Sequence, residues 1–356
     1  MKTRLNLLRQ KMKQERLDAC VVFSDINRNY LTGFTGSSGA LLVLGSKTLF
    51  LTDSRYTLQA GREVDGAQVV LQVRSLLVDA LDAFKKAKVK RIGFEASHVT
   101  FTQYQFLVKQ LPKVTWVPML GVVESLRLVK DSGEKIALRQ AGRVADKTIH
   151  HILPFIKTGV SERDLASEME HFMRRQGADG PSFETIVASG WRSALPHGIA
   201  SSKRLEKGDF IVFDFGCRLD GYCSDMTRTI CLGTPTAFQR KIYGIVQNAQ
   251  AAGLKAIRPG NTVGAVDLAA RSIITRSGYG KHFGHGTGHG VGREVHEGPR
   301  VVGPKAKDIL EPGMAITCEP GIYLEGKFGV RIEDLALVTD EGYENLYRTT
   351  KDLIVV

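Results

Sequence analysis

What the 356-residue chain has little of narrows its class before any motif is read. Its five cysteines (Cys20, Cys217, Cys223, Cys231 and Cys318) are odd in number and include no CxxC pair. Reduced thiols in a cytoplasm are therefore expected rather than a disulfide framework. No stretch approaches the roughly 18 consecutive apolar residues of a spanning helix, so no membrane partner is expected. The first twenty residues, MKTRLNLLRQKMKQERLDAC, are charged throughout and lack the apolar core of a secretory signal. Acidic residues are fewer than basic ones, 37 against 49, which leaves a net charge of +12. That excess raises the question of nucleic acid. The basic residues are scattered, however, and the densest run, KKAKVKR from Lys85 to Arg91, contains no aromatic residue. No nucleic-acid partner is expected.

What is present is ordinary in bulk: 43% hydrophobic and 24% charged residues, as in a soluble globular protein. The length suits two domains. In the first third, a helical stripe (Leu5, Leu8, Met12, Leu17) precedes the apolar run ACVVF. ALLVL, TLFLT and RIGFE then read as strands, with helices near 76–87 and 101–111. This alternation predicts an α/β layer domain over residues 1–130. The polar KDSGE (130–134) opens the second domain, 131–356, with Asp131 or Ser132 as the N-cap of a helix running to about Lys157. From there one plan runs twice: helices near 134–157 and 161–176 lead into strands reaching Ile230. Helices near 236–257 and 263–277 lead into strands reaching about Leu346. The order of elements suggests an internal repeat.

Each half delivers two carboxylates. In GDFIVFDFGCRLDGYCSDMTRTI, Asp220-Gly221 between two β-rich runs predicts a type I′ turn. That turn sets Leu219 opposite Tyr222 and Asp214 opposite Thr227, so Asp214 and Asp225 share a face. Asp214 stands in the apolar IVFDF, where an unpaired carboxylate is costly to bury, so a positive partner is expected. Cys217 and Cys223 fall off that face and read as packing residues. The second half offers Glu319 and Glu333 in strand-like stretches of CEPGIYLEGKFGVRIEDLALV, with Arg331 on the face of Glu333. Between the halves, HFGHGTGHGVGREVHEGPR carries four of the nine histidines within fifteen residues. Its alternate glycines oppose a helix, and the Glu of a helical HExxH zinc site is missing. Four carboxylates with His289 can hold two divalent ions. So oxygen-rich a set with one imidazole favours Mn²⁺ or Co²⁺ over a thiolate-type zinc site.

These residues, in DFG, SDMTR, GHGTGHGVG, CEPGIY and GVRIED, resemble the five metal ligands of the pita-bread metallopeptidases, a superfamily that includes methionine aminopeptidase, aminopeptidase P and Xaa-Pro dipeptidase. SDINRNYLTGFTGSSG and FLTDSRY resemble the creatinase/prolidase N-terminal domain that accompanies the proline-specific members. The resemblance implies a creatinase-like α/β domain followed by an α+β pita-bread catalytic domain with a pseudo-twofold repeat. It implies that Asp214 chelates one metal ion, that His289 and Glu319 hold the other, and that Asp225 and Glu333 bridge both, the ions being Mn²⁺, with Co²⁺ or Zn²⁺ as alternatives. The implied reaction is attack of a bridging hydroxide on an Xaa-Pro bond at the N-terminus of a dipeptide or short peptide. Glu319 passes the proton and His296 donates to the carbonyl oxygen. His197 and His285 match catalytic and substrate-contacting histidines, and Arg331 matches the arginine that steadies a bridging carboxylate. Arg300 matches the arginine with which prolidases receive the free carboxylate of a dipeptide. His282 has no counterpart and reads as structural. SGWRSALPHG departs from the family pattern at Arg192, which puts contacts at the rim in question. A homodimer is implied. Two alternatives stay open: an aminopeptidase of broader or methionine specificity, and a catalytically silent pita-bread binding module.

Overall fold

The computed structural model describes residues 4–356. Its contacts divide the chain into two compact units, the first ending at Arg127 and the second spanning Leu128–Val356.

In the first unit, strands β1 (Ala19–Val22), β2 (Ala40–Leu44), β3 (Lys47–Thr52), β4 (Gln68–Leu71), β5 (Arg91–Glu95) and β6 (Thr115–Met119) form one mixed sheet, ordered β4-β3-β2-β1-β5-β6. Strand alternation sends Cys20, Val22, Leu41 and Val43 into one core and Ala19, Val21, Ala40 and Leu42 into another. Both faces are thus buried, which is why ACVVF and ALLVL read as continuous apolar runs. Leu5, Leu8 and Met12 of helix Arg4–Gln14 cover the first face. Helix Leu76–Ala87 covers the second with Ala80, Leu81 and Phe84. Leu17 packs with the first core although the helix ends at Gln14. A short helix, Asp25–Thr32, falls within SDINRNYLTG, where no helix was expected; the Ser24 side chain caps it by accepting from Asn27 N.

The second unit repeats one plan. Helices Ser132–Ile152 and Glu162–Arg175 pack together, as do Ala237–Ala256 and Val263–Arg276. Asp131 is the N-cap of the first, forming a capping box with Glu134, and Thr236 with Gln239 caps the third in the same way. The first helix was expected to run to about Lys157 but stops at Ile152. Pro154 lies in the single 3₁₀ turn Leu153–Phe155 that follows, and it cannot donate to the helical ladder. Each helix pair precedes a sheet. Strands Ile186–Ser189, Phe210–Phe215 and Met226–Cys231 form the first. The second is a five-stranded sheet in which Gly288–Gly290, Ala315–Cys318 and Asp334–Val338 are central. The chain does not finish in that second sheet. Ile354–Val355 returns to pair in parallel with Ile230 and Cys231 of the first sheet, so its last strand joins the beginning of the unit. No described helix is long and apolar enough to cross a membrane.

Candidate active site

The Asp220-Gly221 turn forms with φ of 51° and 74°, both left-handed, and Leu219 pairs with Tyr222. The same register continues through Met226–Phe215 to Thr227–Asp214. The ladder is interrupted at Gly216 and at Ser224-Asp225, where the Asp225 N–H donates instead to the Tyr347 hydroxyl at 2.9 Å and that hydroxyl donates to Asp225 O at 2.5 Å. Cys217 and Cys223 lie in the core, as their position off the aspartate face requires.

Glu319 and Glu333 are not within strands. Glu319 follows strand Ala315–Cys318 and precedes Pro320, where the ladder must stop; its N–H donates to Thr287 O at 2.8 Å. Glu333 lies where the chain leaves the hairpin Gly321–Arg331 for the strand Asp334–Val338, so its relation to Arg331 is not one of strand parity. Its N–H donates to Thr227 O at 3.1 Å, and the Thr227 hydroxyl donates to Glu333 Oε2 at 2.6 Å. Three of the four carboxylates thus stand at breaks in a ladder, where the backbone is free to turn a side chain inward.

His289 lies between two glycines. A Cβ at Gly288 would strike the Thr317 carbonyl, and one at Gly290 the carbonyl of Gly298, so the strand can pass only with glycine at both. His289 Nδ1 is 3.1 Å from Gly290 O, which fixes the proton there and leaves the Nε2 lone pair free. Nε2 lies 3.4 Å from Glu319 Oε1 and 3.5 Å from Asp225 Oδ2. Burial, with the neighbouring His296 adding to it, pushes the His289 pKa down to about 4, so the ring is neutral at physiological pH. One donor atom each from Asp225, His289 and Glu333 fall within 4.8 Å of one another.

The electrostatics are those of a site short of positive charge. Burial first, then repulsion from Glu333 and the other carboxylates, raises the Asp225 pKa well above the carboxylate range, and Glu333 is raised by burial and by Glu319. Glu319 is raised to about 7, chiefly by burial. Among the described residues, Arg331 is the cation hydrogen-bonded into the cluster. Its Nη2 donates to Asp214 Oδ2, its Nε to the Thr227 hydroxyl at 3.1 Å and its Nη1 to Tyr323 and Pro196 O. It therefore grips Asp214 rather than either carboxylate taken as bridging, because the Thr227 hydroxyl stands between it and Glu333. Four carboxylates against one guanidinium leave three negative charges unmatched when all are ionised, and Asp214 Oδ1 is buried without a hydrogen-bond partner. A donor set so buried, acidic and partly unsatisfied fits divalent cations.

A cleft of about 560 Å³ in the second unit is lined by all ten residues singled out above: His197, Asp214, Asp225, His285, His289, His296, Arg300, Glu319, Arg331 and Glu333. His296 is exposed, its ring centroid 4.3 Å from that of His289. Arg300 is directly opposite His289 in the sheet and shares its face; its side chain has no hydrogen bond or ion pair among the described residues. His285 Nδ1 contacts Gly286 O at 2.7 Å and Nε2 the Tyr323 hydroxyl at 2.8 Å. His282 does not line the cleft. Neither does Arg192, which binds the fully buried Glu162 at 3.0 Å because that carboxylate needs a cation more than the rim does.

The sequence profile of metallopeptidase family M24 matches residues 136–340, and that of the creatinase/prolidase N-terminal domain matches residues 4–129. The chain belongs to metallopeptidase family M24. It is 43% identical over 353 residues to the uncharacterized peptidase YqhT of Bacillus subtilis, covering 99% of this chain and 100% of that one. Among solved structures it is similar to an Xaa-Pro dipeptidase from Bacillus anthracis, with a TM-score of 0.97, 41% identity and 99% of each chain covered. It is also similar to an X-Pro aminopeptidase from Thermotoga maritima, with a TM-score of 0.91 and 36% identity over 98% of this chain and 100% of that one.

In this M24 peptidase, as in its relatives, the second unit has the pita-bread arrangement, and its cluster of acidic residues and histidine is that of a metal-dependent peptidase. Several residues that hold the cluster were not assigned to it from the sequence. Thr227 ties the two halves together through Glu333 and Arg331, and Tyr347 holds Asp225 from 122 residues away. Tyr323 bridges His285 and Arg331, and the apolar walls Phe183, Ile186, Pro196, Ile199 and Val302 complete the cleft. Of these, only Thr227 was within reach of sequence reasoning, since the predicted turn already set it opposite Asp214.

Proposed function

We propose that this chain hydrolyses the bond between an N-terminal residue and proline, with dipeptides as preferred substrates. Asp214, Asp225, His289, Glu319 and Glu333 would together hold two divalent ions, Asp214 serving one, His289 and Glu319 the other, and Asp225 and Glu333 both. Oxygen donors with one imidazole suit Mn²⁺, with Co²⁺ or Zn²⁺ as alternatives. When bound, such a pair supplies an activated water nucleophile and a Lewis acid for the scissile carbonyl. The protein's own groups do the rest. Glu319 takes the proton of the attacking water and returns it to the prolyl nitrogen as the C–N bond breaks. His296 donates to the carbonyl oxygen as it gains charge, and His197 and His285 orient the peptide. An Xaa-Pro amide has no N–H, so recognition rests on the shape of the ring against the apolar walls of the cleft.

The observation that carries the preference for dipeptides is Arg300. An exposed guanidinium with no partner, opposite a metal-ligand histidine in the sheet, suits the free carboxylate that only a dipeptide presents next to its proline. The similarity to an X-Pro aminopeptidase supports the second reading, in which longer peptides are taken. A series of Xaa-Pro peptides of increasing length tests this. Arg300→Ala is expected to raise KM for dipeptides about 10- to 150-fold, the worth of a lost charged hydrogen bond, and to leave tripeptides nearly unchanged. Equal effects on both lengths would remove Arg300 from the site and favour the aminopeptidase. Five free, buried thiols support a cytoplasmic location, and we take a homodimer as the assembly to be tested by its mass in solution.

A further inference from the structure

The second unit has another concavity, of about 650 Å³, that shares no lining residue with the cleft. Arg143, Lys147 and His150 line it at i, i+4 and i+7 along helix Ser132–Ile152, hence from one face of that helix. Arg348 completes it from the C-terminal segment. Asp146 is the only carboxylate in the lining, and it is fully engaged with backbone and hydroxyl donors. Its oxygens accept from Arg348 N at 2.9 and 3.1 Å, from Thr349 N at 2.9 Å and from the Thr349 hydroxyl at 2.7 Å. Asp146 therefore fixes the segment that carries Arg348; its single negative charge offsets one of the three cations beside it and leaves two positive charges unmatched. The side chains of Arg143 and Arg348 have no hydrogen bond or ion pair among the described residues. Lys147 donates only to the neutral Gln176 amide, at 3.0 Å. His151, held by Glu168 at 2.7 Å and stacked on Phe172 at 4.0 Å, forms a fixed wall.

Three permanent cations against one carboxylate leave the concavity with two excess positive charges, and a doubly charged anion between the cations balances them. Guanidinium forks match tetrahedral oxyanions through paired hydrogen bonds. The basic face extends over only two helical turns, which suits a small ion and is too short to track a nucleic-acid backbone. We propose that this groove is a binding site for a small doubly charged oxyanion of the phosphate or sulfate class, distinct from the peptidase cleft.

Sulfate is the probe, because it has the right shape and charge and sequesters divalent metals weakly. Metal-loaded protein is titrated calorimetrically with sulfate against chloride at constant ionic strength. Saturable binding of about one sulfate per chain is expected, with a Kd raised at least about tenfold in the Arg143→Gln/Arg348→Gln double variant. Both positions are exposed and outside the cleft, so that variant is expected to keep its peptidase activity measured without sulfate. Arg300→Gln is expected to leave sulfate affinity unchanged. Heats no different from chloride, or an unaltered Kd in the double variant, would overturn the proposal. So would loss of binding in Arg300→Gln, which would assign the anion to the cleft.

Discussion

Replacing Thr227 with valine removes one oxygen from the junction of the two halves and almost no volume. The hydroxyl is fully buried, donates to Glu333 Oε2 at 2.6 Å and accepts from Arg331 Nε at 3.1 Å. Hydrogen bonds to charged groups contribute about 1.5–3 kcal/mol each, which puts the ceiling near 6 kcal/mol for two. Arg331 keeps its bonds to Asp214, Tyr323 and Pro196, so about 3 kcal/mol is the better figure. For a unit of this size that corresponds to a fall in Tm of roughly 6–12 °C. Glu333 also loses the group that orients it, and losses of this kind weaken metal affinity by about 10- to 100-fold. Thr229 supplies the control. It too is buried, but its hydroxyl bonds only the backbone of Arg331, donating to its O at 2.9 Å and accepting from its N at 3.1 Å. Thr229→Val should lower Tm while leaving metal affinity alone. Thermal unfolding of the metal-free forms, with metal titration of each, measures both effects. Equal metal affinities for the two variants, or a Tm for Thr227→Val within about 2 °C of the parent, would refute the argument that this hydroxyl couples Arg331 to the cluster.

Other outcomes follow from the same geometry. The purified protein should bind about two divalent ions per chain and lose hydrolysis on chelation; activity surviving exhaustive metal removal would contradict the mechanism. His289→Ala should lose metal, whereas His296→Ala should keep it and turn over roughly 10²- to 10³-fold more slowly. Identical metal contents in the two variants would count against that division. The stability of the metal-free protein should fall as pH rises above about 6.5, where the histidines are neutral in both states. Burial lifts the Glu319 pKa from 4.5 to about 7, so the folded chain holds a proton that the unfolded chain releases between those values. The contribution is complete below about pH 4.5, is lost as pH passes through 7, and amounts to about 3 kcal/mol. Asp225 and Glu333 act in the same direction, whereas His285 and His289, held at about 4 by burial, act oppositely below about pH 6.5. Metal-free protein that gains stability from about pH 6.5 to 8 in denaturant titrations would contradict this.

Much of the architecture was legible in the chain alone, wherever the determining chemistry is local. The left-handed preference of Asp220-Gly221 sets the hairpin register, and strand alternation then carries Asp214 and Asp225 to one face without further information. A cap within one turn of the helix start marked the opening of the helix at Ser132. Continuous apolar runs marked strands buried on both faces. The carboxylate and histidine motifs, together with the family resemblance they carry, assigned ten residues to a site, and those ten line one cleft. Tertiary packing decided what each of them touches. Glu319 and Glu333 read as strand residues but stand at breaks, because a ladder ends where the chain changes sheets, and the sequence does not say which sheet it will join. Arg331 grips Asp214, and Arg192 turns to Glu162, because a buried carboxylate claims whichever cation folding brings within reach. Tyr347 on Asp225 and Ile354 beside Ile230 join positions more than a hundred residues apart, a separation over which neither propensity nor periodicity carries information.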